Sequence, residues 1–148
     1  MPVRPAEPAD FDEICVLLLD HAAHEGAADR MRLRLRETYD ALFGDAPVVR
    51  GHIAVPPDAH GTVAGIALWY PTFSSWETRS GIWLEDLYIK PEYRRYGLGR
   101  ELLATLRELT EGRLEWDVAH GNDGAERFYR SLGAEPVGGW TRYRWSSR

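Results

Sequence analysis

Apolar and polar positions near the start of the chain predict a short strand around Val3, followed by a helix that starts near Asp10. Asp10 is a favourable N-cap, Glu13 occupies the capping-box position, and Gly26 would end the helix. The residues that share the apolar face of this helix are Ile14, Leu17, Leu18 and His21.

Residues 29–44 fit two periodicities. Residues 30–36 (RMRLRLR) alternate like a strand, whereas apolar residues at positions 31, 35, 39 and 42 recur at helical spacing. We predict a helix with Asp29 as its N-cap and Gly44 as its terminator. An anion-binding patch or a solvated helix face could be formed by Arg30, Arg32, Arg34 and Arg36.

The middle of the chain contains three strand candidates, separated by connections that carry proline, glycine and polar residues. They cover residues 48–55, 62–71 and 81–91 and predict an antiparallel meander. After Pro91 the pattern becomes helical up to Gly112. The apolar stripe of that helix consists of Leu98, Leu102, Leu103, Leu106 and Leu109.

The last third of the chain predicts a strand at 113–119, a helix at 123–133 that Gly133 closes, and a final alternating strand at 140–145. This order of elements predicts a single mixed α/β domain over residues 1–148. A chain of this length with 44% hydrophobic residues can bury the core that such a domain needs.

Charge and cysteine content narrow the choice of partners and compartment. The formal net charge of −5 argues against a nucleic-acid partner, favours a solvated face for the four arginines, and would suit a cationic small molecule. The one cysteine, Cys15, cannot form an intrachain disulfide, and neither a leader nor a membrane-spanning apolar stretch is apparent. We therefore expect a cytoplasmic protein with no nucleic-acid and no membrane partner.

A glycine-rich segment, residues 93–102 (YRRYGLGREL), lies where a predicted strand passes into a helix. Glycine permits positive φ and a close backbone approach, and the first N–H groups of a helix attract anions. The segment lacks the Lys and Ser/Thr of a P-loop and the third glycine of a dinucleotide-binding fingerprint. Taken alone, it fits an ordinary turn equally well.

The wider context resembles the GNAT superfamily of acetyl-CoA-dependent N-acetyltransferases. The resemblance rests on residues 83–106 (WLEDLYIKPEYRRYGLGRELLATL), 122–134 (NDGAERFYRSLGA) and 3–14 (VRPAEPADFDEI). Together with residues 70–76 (YPTFSSW), it narrows to the diamine and thialysine acetyltransferase branch. The resemblance implies a mixed, mostly antiparallel sheet flanked by helices.

The resemblance also implies how acetyl-CoA is held. Two parallel central strands, within 84–90 and 114–119, would splay apart and hold the pantetheine arm between them. The glycine-rich loop would wrap the CoA pyrophosphate with main-chain amides, and Asn122 would lie near the cofactor, although it is also a favourable helix N-cap. The residues assigned to cofactor contacts are Leu87, Tyr88, Ile89, Arg94, Arg95, Tyr96, Gly97, Leu98, Gly99, Arg100 and Asn122.

By resemblance, the catalytic residues are Tyr129 and Glu85. Tyr129 would act as a general acid toward the CoA sulfur, since a phenol with a pKa of about 10 is protonated at neutral pH. Glu85 would bind the acceptor amine and draw off its proton through water. The structural alternatives are a half-buried core tyrosine and a surface carboxylate in a salt bridge. Because side chains alternate along a strand, Glu85 and Asp86 are expected to face opposite sides of the sheet.

The expected acceptor is a small primary amine. In the family, the helix end that carries His24 and Glu25 borders the acceptor pocket, and Glu25, Glu85 and Asp117 would make that pocket acidic. The spacing of His21, His24 and Glu25 also suits zinc, but the sequence offers no convincing further ligand, so no metal is expected.

Two departures from close relatives leave the acceptor open. Gly121 stands where those relatives carry tryptophan, and residues 135–140 (EPVGGW) replace a longer acidic segment. Spermidine, a short diamine, thialysine, lysine and other amines all remain candidates. The resemblance further implies a homodimer, with Trp140 and Trp145 at its interface or in the core. The alternative function is an acetyl-CoA-binding regulatory or partner module without efficient transfer.

Overall fold

The computed structural model describes residues 2–59 and 61–148, so His60, in the predicted connection between the first two strands of the meander, lies outside the described residues. The chain divides into two units, Met1–Trp116 and Asp117–Arg148. Its helices are α1 (Phe11–His24), α2 (Leu35–Phe43) and α3 (Leu98–Glu108) in the first unit and α4 (Asp123–Ser131) in the second. No helix within the described residues is long and apolar enough to cross a membrane.

The first unit contains a five-stranded sheet whose strand order follows the sequence. Strands one to four pair antiparallel with their neighbours, and the fifth pairs parallel to the fourth. The strands are β1 (Val3–Pro5), β2 (Arg50–Ala54), β3 (Gly65–Ser74), β4 (Arg79–Ile89) and β5 (Leu114–Glu115). The predicted meander and the predicted mixed, mostly antiparallel sheet are confirmed.

The apolar face of α1 packs on this sheet. Ile14 and Leu17 are fully buried and belong to a cluster with Ile53 on β2, Ile66 on β3 and Tyr88 on β4. Full burial of one such aliphatic side chain contributes about 1.5–3 kcal/mol. This packing fixes the C-terminal half of α1 over β4.

The leucine stripe of α3 is buried as predicted, with one exception. Leu98, Leu102, Leu103 and Leu106 are buried, and the helix packs against the first four strands. Leu109 is 53% exposed because it follows the last helical residue. The packed leucines hold the N-terminus of α3 in place relative to the sheet.

The start of α1 differs from the prediction. A 3-10 turn, Pro8–Asp10, precedes the helix, and the Asp10 side chain does not cap it. The Asp10 carboxylate instead accepts two hydrogen bonds of 2.9 Å from Arg4 and one of 2.7 Å from the Glu7 N–H. Asp10 holds the predicted N-cap position of α1, but its side chain makes no capping hydrogen bond, because its backbone is helical and its carboxylate reaches back along the chain.

The second predicted helix begins later than expected. Ala28–Arg30 forms a 3-10 turn and α2 starts only at Leu35, so Asp29 is not its N-cap. Met31, whose spacing suggested an earlier helical turn, has an extended backbone and packs against the core from outside the helix. Of the four arginines, only Arg36 lies on α2. The predicted end of the helix at Gly44 is confirmed.

Two predicted strands near the C-terminal end are shorter than expected or absent. β5 is limited to Leu114–Glu115 instead of 113–119, and residues 140–145 form no strand among the described residues. Trp140 and Trp145 are strongly exposed, so the alternative that places them in the core of this chain was wrong. Alternation predicts a strand only where a partner strand is available to pair with it.

Candidate active site

β4 is irregular at the carboxylate that the sequence assigned to the acceptor amine. Leu68 on β3 pairs with Asp86, but the next residue, Trp69, pairs with Leu84, which leaves Glu85 without an opposing residue on β3. An extra residue on one strand of an antiparallel pair is a β-bulge, which locally disrupts the alternation and re-aims side chains.

The bulge brings Glu85 and Asp86 to one face of the sheet. Asp86 pairs with Leu68 and Trp83 pairs with Tyr70, and since Leu68 and Tyr70 are two residues apart, Asp86 and Trp83 share a face. The Trp83 indole N–H donates to Glu85 Oε2 at 3.2 Å, so the exposed Glu85 carboxylate lies on this face as well. The expectation that Glu85 and Asp86 face opposite sides was wrong, because the extra residue interrupts the alternation.

A histidine on α1 lies between Asp86 on this face and Glu25 at the end of α1. His21 Nδ1 lies 3.1 Å from Asp86 Oδ1, and His21 Nε2 lies 3.5 Å from Glu25 Oε1. The imidazole stacks on the Tyr88 ring, with the centroids 5.3 Å apart and the planes at 27°. The His24 ring lies 6.2 Å from the same tyrosine ring. His24 and Glu25, both assigned to the acceptor pocket, therefore lie at the end of α1 near Asp86.

Electrostatics favour the charged form of His21. Burial acts against the imidazolium, since the side chain is only 18% exposed, but the hydrogen bond and charge of Asp86 together with Glu25 outweigh it, and the pKa of His21 is raised. The sequence indicated the i,i+4 spacing of His21 and Glu25. It gave no signal for Asp86, which lies 65 residues further along the chain.

The glycine-rich loop after β4 adopts two left-handed backbone conformations. Gly97 has φ of +75° and is the N-cap of α3, while Arg95 has φ of +76°. A non-glycine residue in this region stores backbone strain, which is concentrated at ligand-binding sites. Leu98, Gly99 and Arg100 form the first turn of α3, so their N–H groups have no acceptor within the helix. Such a turn suits the binding of a phosphate group.

Arg94 anchors this loop to the end of β4. Its Nε–H donates to the Ile89 carbonyl at 2.9 Å, and its guanidinium lies 5.6 Å from the centroid of the Tyr88 ring. Tyr88 is buried in the core, and burial raises the pKa of its phenol. The Tyr88 side chain thus belongs to the core, and the contact predicted for this residue concerns its main chain.

One edge of β4 is open over its second half. Residues 87–89 pair with β3 on one side. On the other side, β5 pairs only at Ile82 and Trp83. Among the described strands, none pairs with this edge beyond Trp83, so the edge offers main-chain groups to an extended ligand, although the Ile89 carbonyl already accepts a hydrogen bond from Arg94.

Two of the predicted site residues lie on α4 or at its start. Asn122 is the N-cap, and its Oδ1 accepts the Ala125 N–H at 3.2 Å, which confirms the helix-cap alternative. Tyr129 is half-buried, and its ring lies 5.4 Å from the Phe128 ring. Both residues belong to the second unit.

Asp117 also lies in the second unit, where its carboxylate accepts a hydrogen bond from Arg142. Its charge is therefore partnered within that unit. Over residues 2–59 and 61–148, no group of three or more His, Cys, Asp and Glu side chains could hold a metal ion.

Comparison with known proteins decides the family. A sequence model of the acetyltransferase (GNAT) family matches residues 21–134. The chain belongs to this family. It is 30% identical to thialysine N-epsilon-acetyltransferase of Bos taurus, over 96% of this chain and 90% of that protein. L-ornithine N5-acetyltransferase of Arabidopsis thaliana is 35% identical over 53% of this chain and 36% of that protein.

Solved structures share the GNAT fold of this chain. The structure of a probable acetyltransferase matches with a TM-score of 0.80 at 19% identity, over 100% of this chain and 99% of the other. The resemblance that the motifs indicated is thus confirmed, and the chain is an acyltransferase. GNAT enzymes in general use acetyl-CoA. The left-handed Gly97 and the first-turn N–H groups of α3 fit the pyrophosphate of such a donor.

Proposed function

We propose that this GNAT enzyme transfers the acetyl group of acetyl-CoA to the primary amine of a small molecule. The observation that carries the proposal is the bulge in β4, which presents the exposed Glu85 carboxylate on the strand that leads directly into the glycine-rich loop. The carboxylate proposed to bind the acceptor amine and the turn proposed to bind phosphate therefore lie at the two ends of residues 85–97.

The donor is held by the backbone of the loop and of β4. The first-turn N–H groups at Leu98, Gly99 and Arg100, together with the positive end of the α3 dipole, attract the pyrophosphate. Main-chain groups of residues 87–89 at the open edge of β4 hydrogen-bond the pantetheine arm. Asn122 and the loop residues Arg94, Arg95, Tyr96 and Gly97 complete the proposed cofactor contacts.

The acceptor must lose a proton before it reacts. An alkyl amine with a pKa of about 10.4 is neutral in roughly one molecule in a few thousand at pH 7. The Glu85 carboxylate attracts the ammonium ion and accepts its proton, directly or through water. His24 and Glu25 at the end of α1 are proposed to line the acceptor pocket, and Asp117 is a further proposed substrate-binding residue.

Transfer then exchanges one bond for another. The neutral amine nitrogen attacks the thioester carbonyl carbon, the new C–N bond forms, and the C–S bond breaks. The thiolate of CoA takes a proton from the Tyr129 hydroxyl, which is protonated at neutral pH. The nitrogen loses a second proton as the amide forms, and this proton restores the Tyr129 hydroxyl by way of water. The first proton passes from Glu85 to solvent.

The acceptor is proposed to be a basic amino acid or a diamine. The names of the relatives point to thialysine and ornithine, which are amino acids with a side-chain amine. Lysine, ornithine, thialysine, putrescine and spermidine therefore form the first panel of amines to test.

Two substitutions test the roles of Tyr129 and Glu85. Tyr129→Phe and Glu85→Gln should each lower kcat by about 10²-fold or more, because each removes one proton-transfer group. Their effects should differ in pH dependence, since higher pH supplies neutral amine and should restore only Glu85→Gln.

A matched control is the exposed Glu108→Gln, which should leave kcat and thermal stability unchanged. Turnover of Tyr129→Phe equal to wild type over the whole panel would remove the acid assignment. The same result for Glu85→Gln would return Glu85 to a surface carboxylate.

A homodimer in the cytoplasm is the proposed state of the enzyme. Exposed apolar side chains near the C-terminal end support an interface there: Val137, Trp140, Tyr143 and Trp145. Sedimentation velocity that gives the mass of one chain would exclude the dimer. Cys15 is buried, which raises the pKa of its thiol, and one unreactive thiol suits a reducing compartment.

A further inference from the structure

His21 is held in a fixed orientation by three neighbours on the acceptor side of β4. Asp86 lies 3.1 Å from Nδ1, Glu25 lies 3.5 Å from Nε2, and the Tyr88 ring stacks on the imidazole. Asp86 directly follows Glu85 in the bulge, and both carboxylates share the face that α1 covers. An imidazole thus lies between two carboxylates next to the proposed amine site.

The charge of this cluster depends on His21. Asp86 and Glu25 carry two negative charges, and a protonated His21 reduces the total to one. Lys90, directly after β4, does not change the charge of this cluster, because its Nζ lies 3.9 Å from Glu13 Oε2 and is paired with that carboxylate. Protonation of His21 would therefore leave one net negative charge on the cluster of His21, Asp86 and Glu25, next to Glu85.

Other charged groups near the cluster act mainly on Tyr88. Burial raises the pKa of Tyr88, Asp20 on α1 and Glu92 after β4 raise it further, and Arg94, whose guanidinium lies 5.6 Å from the ring centroid, lowers it. His24 is the remaining titratable side chain of α1 that lies near Tyr88 in the described chain. Besides Glu85 itself, the charged groups in this cluster are therefore His21, Asp86 and Glu25.

We propose that His21 is a specificity-determining residue: by pairing with Asp86 and Glu25, it directs the acceptor site to amines with one net positive charge and away from diamines. The proposal rests on the proposed function of the same site. Lysine and ornithine at neutral pH carry two ammonium groups and one carboxylate, and so have a single net charge. Putrescine carries two positive charges and would meet an unfavourable cation at His21.

Substitution of His21 tests the proposal through a ratio of activities. In His21→Gln the side chain stays polar but loses its charge, and kcat/KM for putrescine relative to lysine should rise about tenfold. In His21→Gln the Asp86 carboxylate has lost its imidazole partner. Adding Asp86→Asn removes that unpaired negative charge, and the putrescine-to-lysine ratio should return toward that of wild type. A purely structural tie between α1 and β4 would lower stability without changing the ratio.

A second variant keeps the test independent of the packing around His21. Glu25 follows the last residue of α1, so Glu25→Gln should fold normally, and it removes a negative charge from the cluster. The putrescine-to-lysine ratio should then fall below that of wild type. A ratio unchanged in both His21→Gln and Glu25→Gln overturns the proposal.

Calorimetric titration with putrescine and with lysine separates this proposal from the proposed function. If wild type acetylates no amine but His21→Gln binds putrescine about tenfold more tightly than wild type does, the proposed function fails and the role of His21 in selectivity stands. If amines are acetylated but neither the activity ratio nor the affinities respond to the substitutions, the proposed function stands and the role of His21 fails.

Discussion

The two glycines at the start of α3 differ in what their backbone conformation requires. Gly97 needs its left-handed backbone, as the glycine pattern suggested, whereas Gly99 lies within the first turn of α3. A helical backbone does not require glycine, which is the less favourable residue there. We propose that glycine at position 99 allows a ligand to approach the backbone closely.

Gly99→Ala should weaken CoA binding while leaving the fold as stable as before or slightly more so. The added methyl group favours the helix by up to about 1 kcal/mol but crowds the pyrophosphate, so the Kd for CoA should rise about tenfold. Calorimetric titration with CoA and thermal unfolding measure the two effects separately.

Gly133→Ala is the matched control for a change at glycine. It should cost about 1–2 kcal/mol of stability, because Gly133 has φ of +89°, and it should leave CoA affinity unchanged. Equal CoA affinity in wild type and Gly99→Ala would return the glycine pattern to an ordinary turn.

Local features of single residues, such as helix caps, could be predicted from the sequence, whereas their long-range contacts could not. The caps at Asn122 and Gly44 follow from local chemistry, and the sequence predicted both. The orientation of Glu85 could not be predicted, because the bulge exists only in the register between β3 and β4. The pairing of His21 with Asp86 could not be predicted either, because only the packing of α1 on β4 brings these two residues together.

At the level of elements, the tertiary environment decided where helices begin. Residues 30–36 fit both an alternating and a helical pattern. In the structure Met31 and Arg34 have extended backbones, and α2 begins only at Leu35. At α1, Asp10 is the N-cap residue, but its carboxylate accepts hydrogen bonds from Arg4 and does not cap the helix. The pair ties β1 to the start of α1, the helix that carries His21.

Asp10→Asn should destabilise the first unit by about 1–3 kcal/mol, because the buried side chain loses its charge-assisted bonds to Arg4. The pKa of Asp10 is lowered, chiefly by the hydrogen bond from Arg4, so its contribution to stability is present above the ordinary carboxyl pKa and is lost as pH falls through the lowered value.

The difference in unfolding free energy between wild type and Asp10→Asn should therefore shrink in acid, as denaturant titrations at neutral and low pH would measure. Asp12→Asn, an exposed change in the first turn of α1, is the control and should cost at most about 1 kcal/mol. A constant difference between wild type and Asp10→Asn down to strongly acid pH would contradict the role given to the Arg4 pair.

For the whole molecule, the order of strands could be predicted because short connections and alternating patterns specify a meander. The predicted final strand was wrong, because residues 140–145 have the right alternation but find no partner strand among the described residues. The GNAT sheet thus fixes the place of the loop and the bulge, while the acceptor depends on side chains around them.

The central claim is that this chain transfers acetyl from acetyl-CoA to a small primary amine. The most direct test incubates wild type with acetyl-CoA and the amine panel, and measures acetylated amine by mass spectrometry together with released CoA. We expect equal amounts of acetylated amine and free CoA for at least one amine, with Tyr129→Phe strongly impaired. Tight CoA binding without any acetylated amine over the whole panel would contradict the claim and favour a CoA-binding regulatory module.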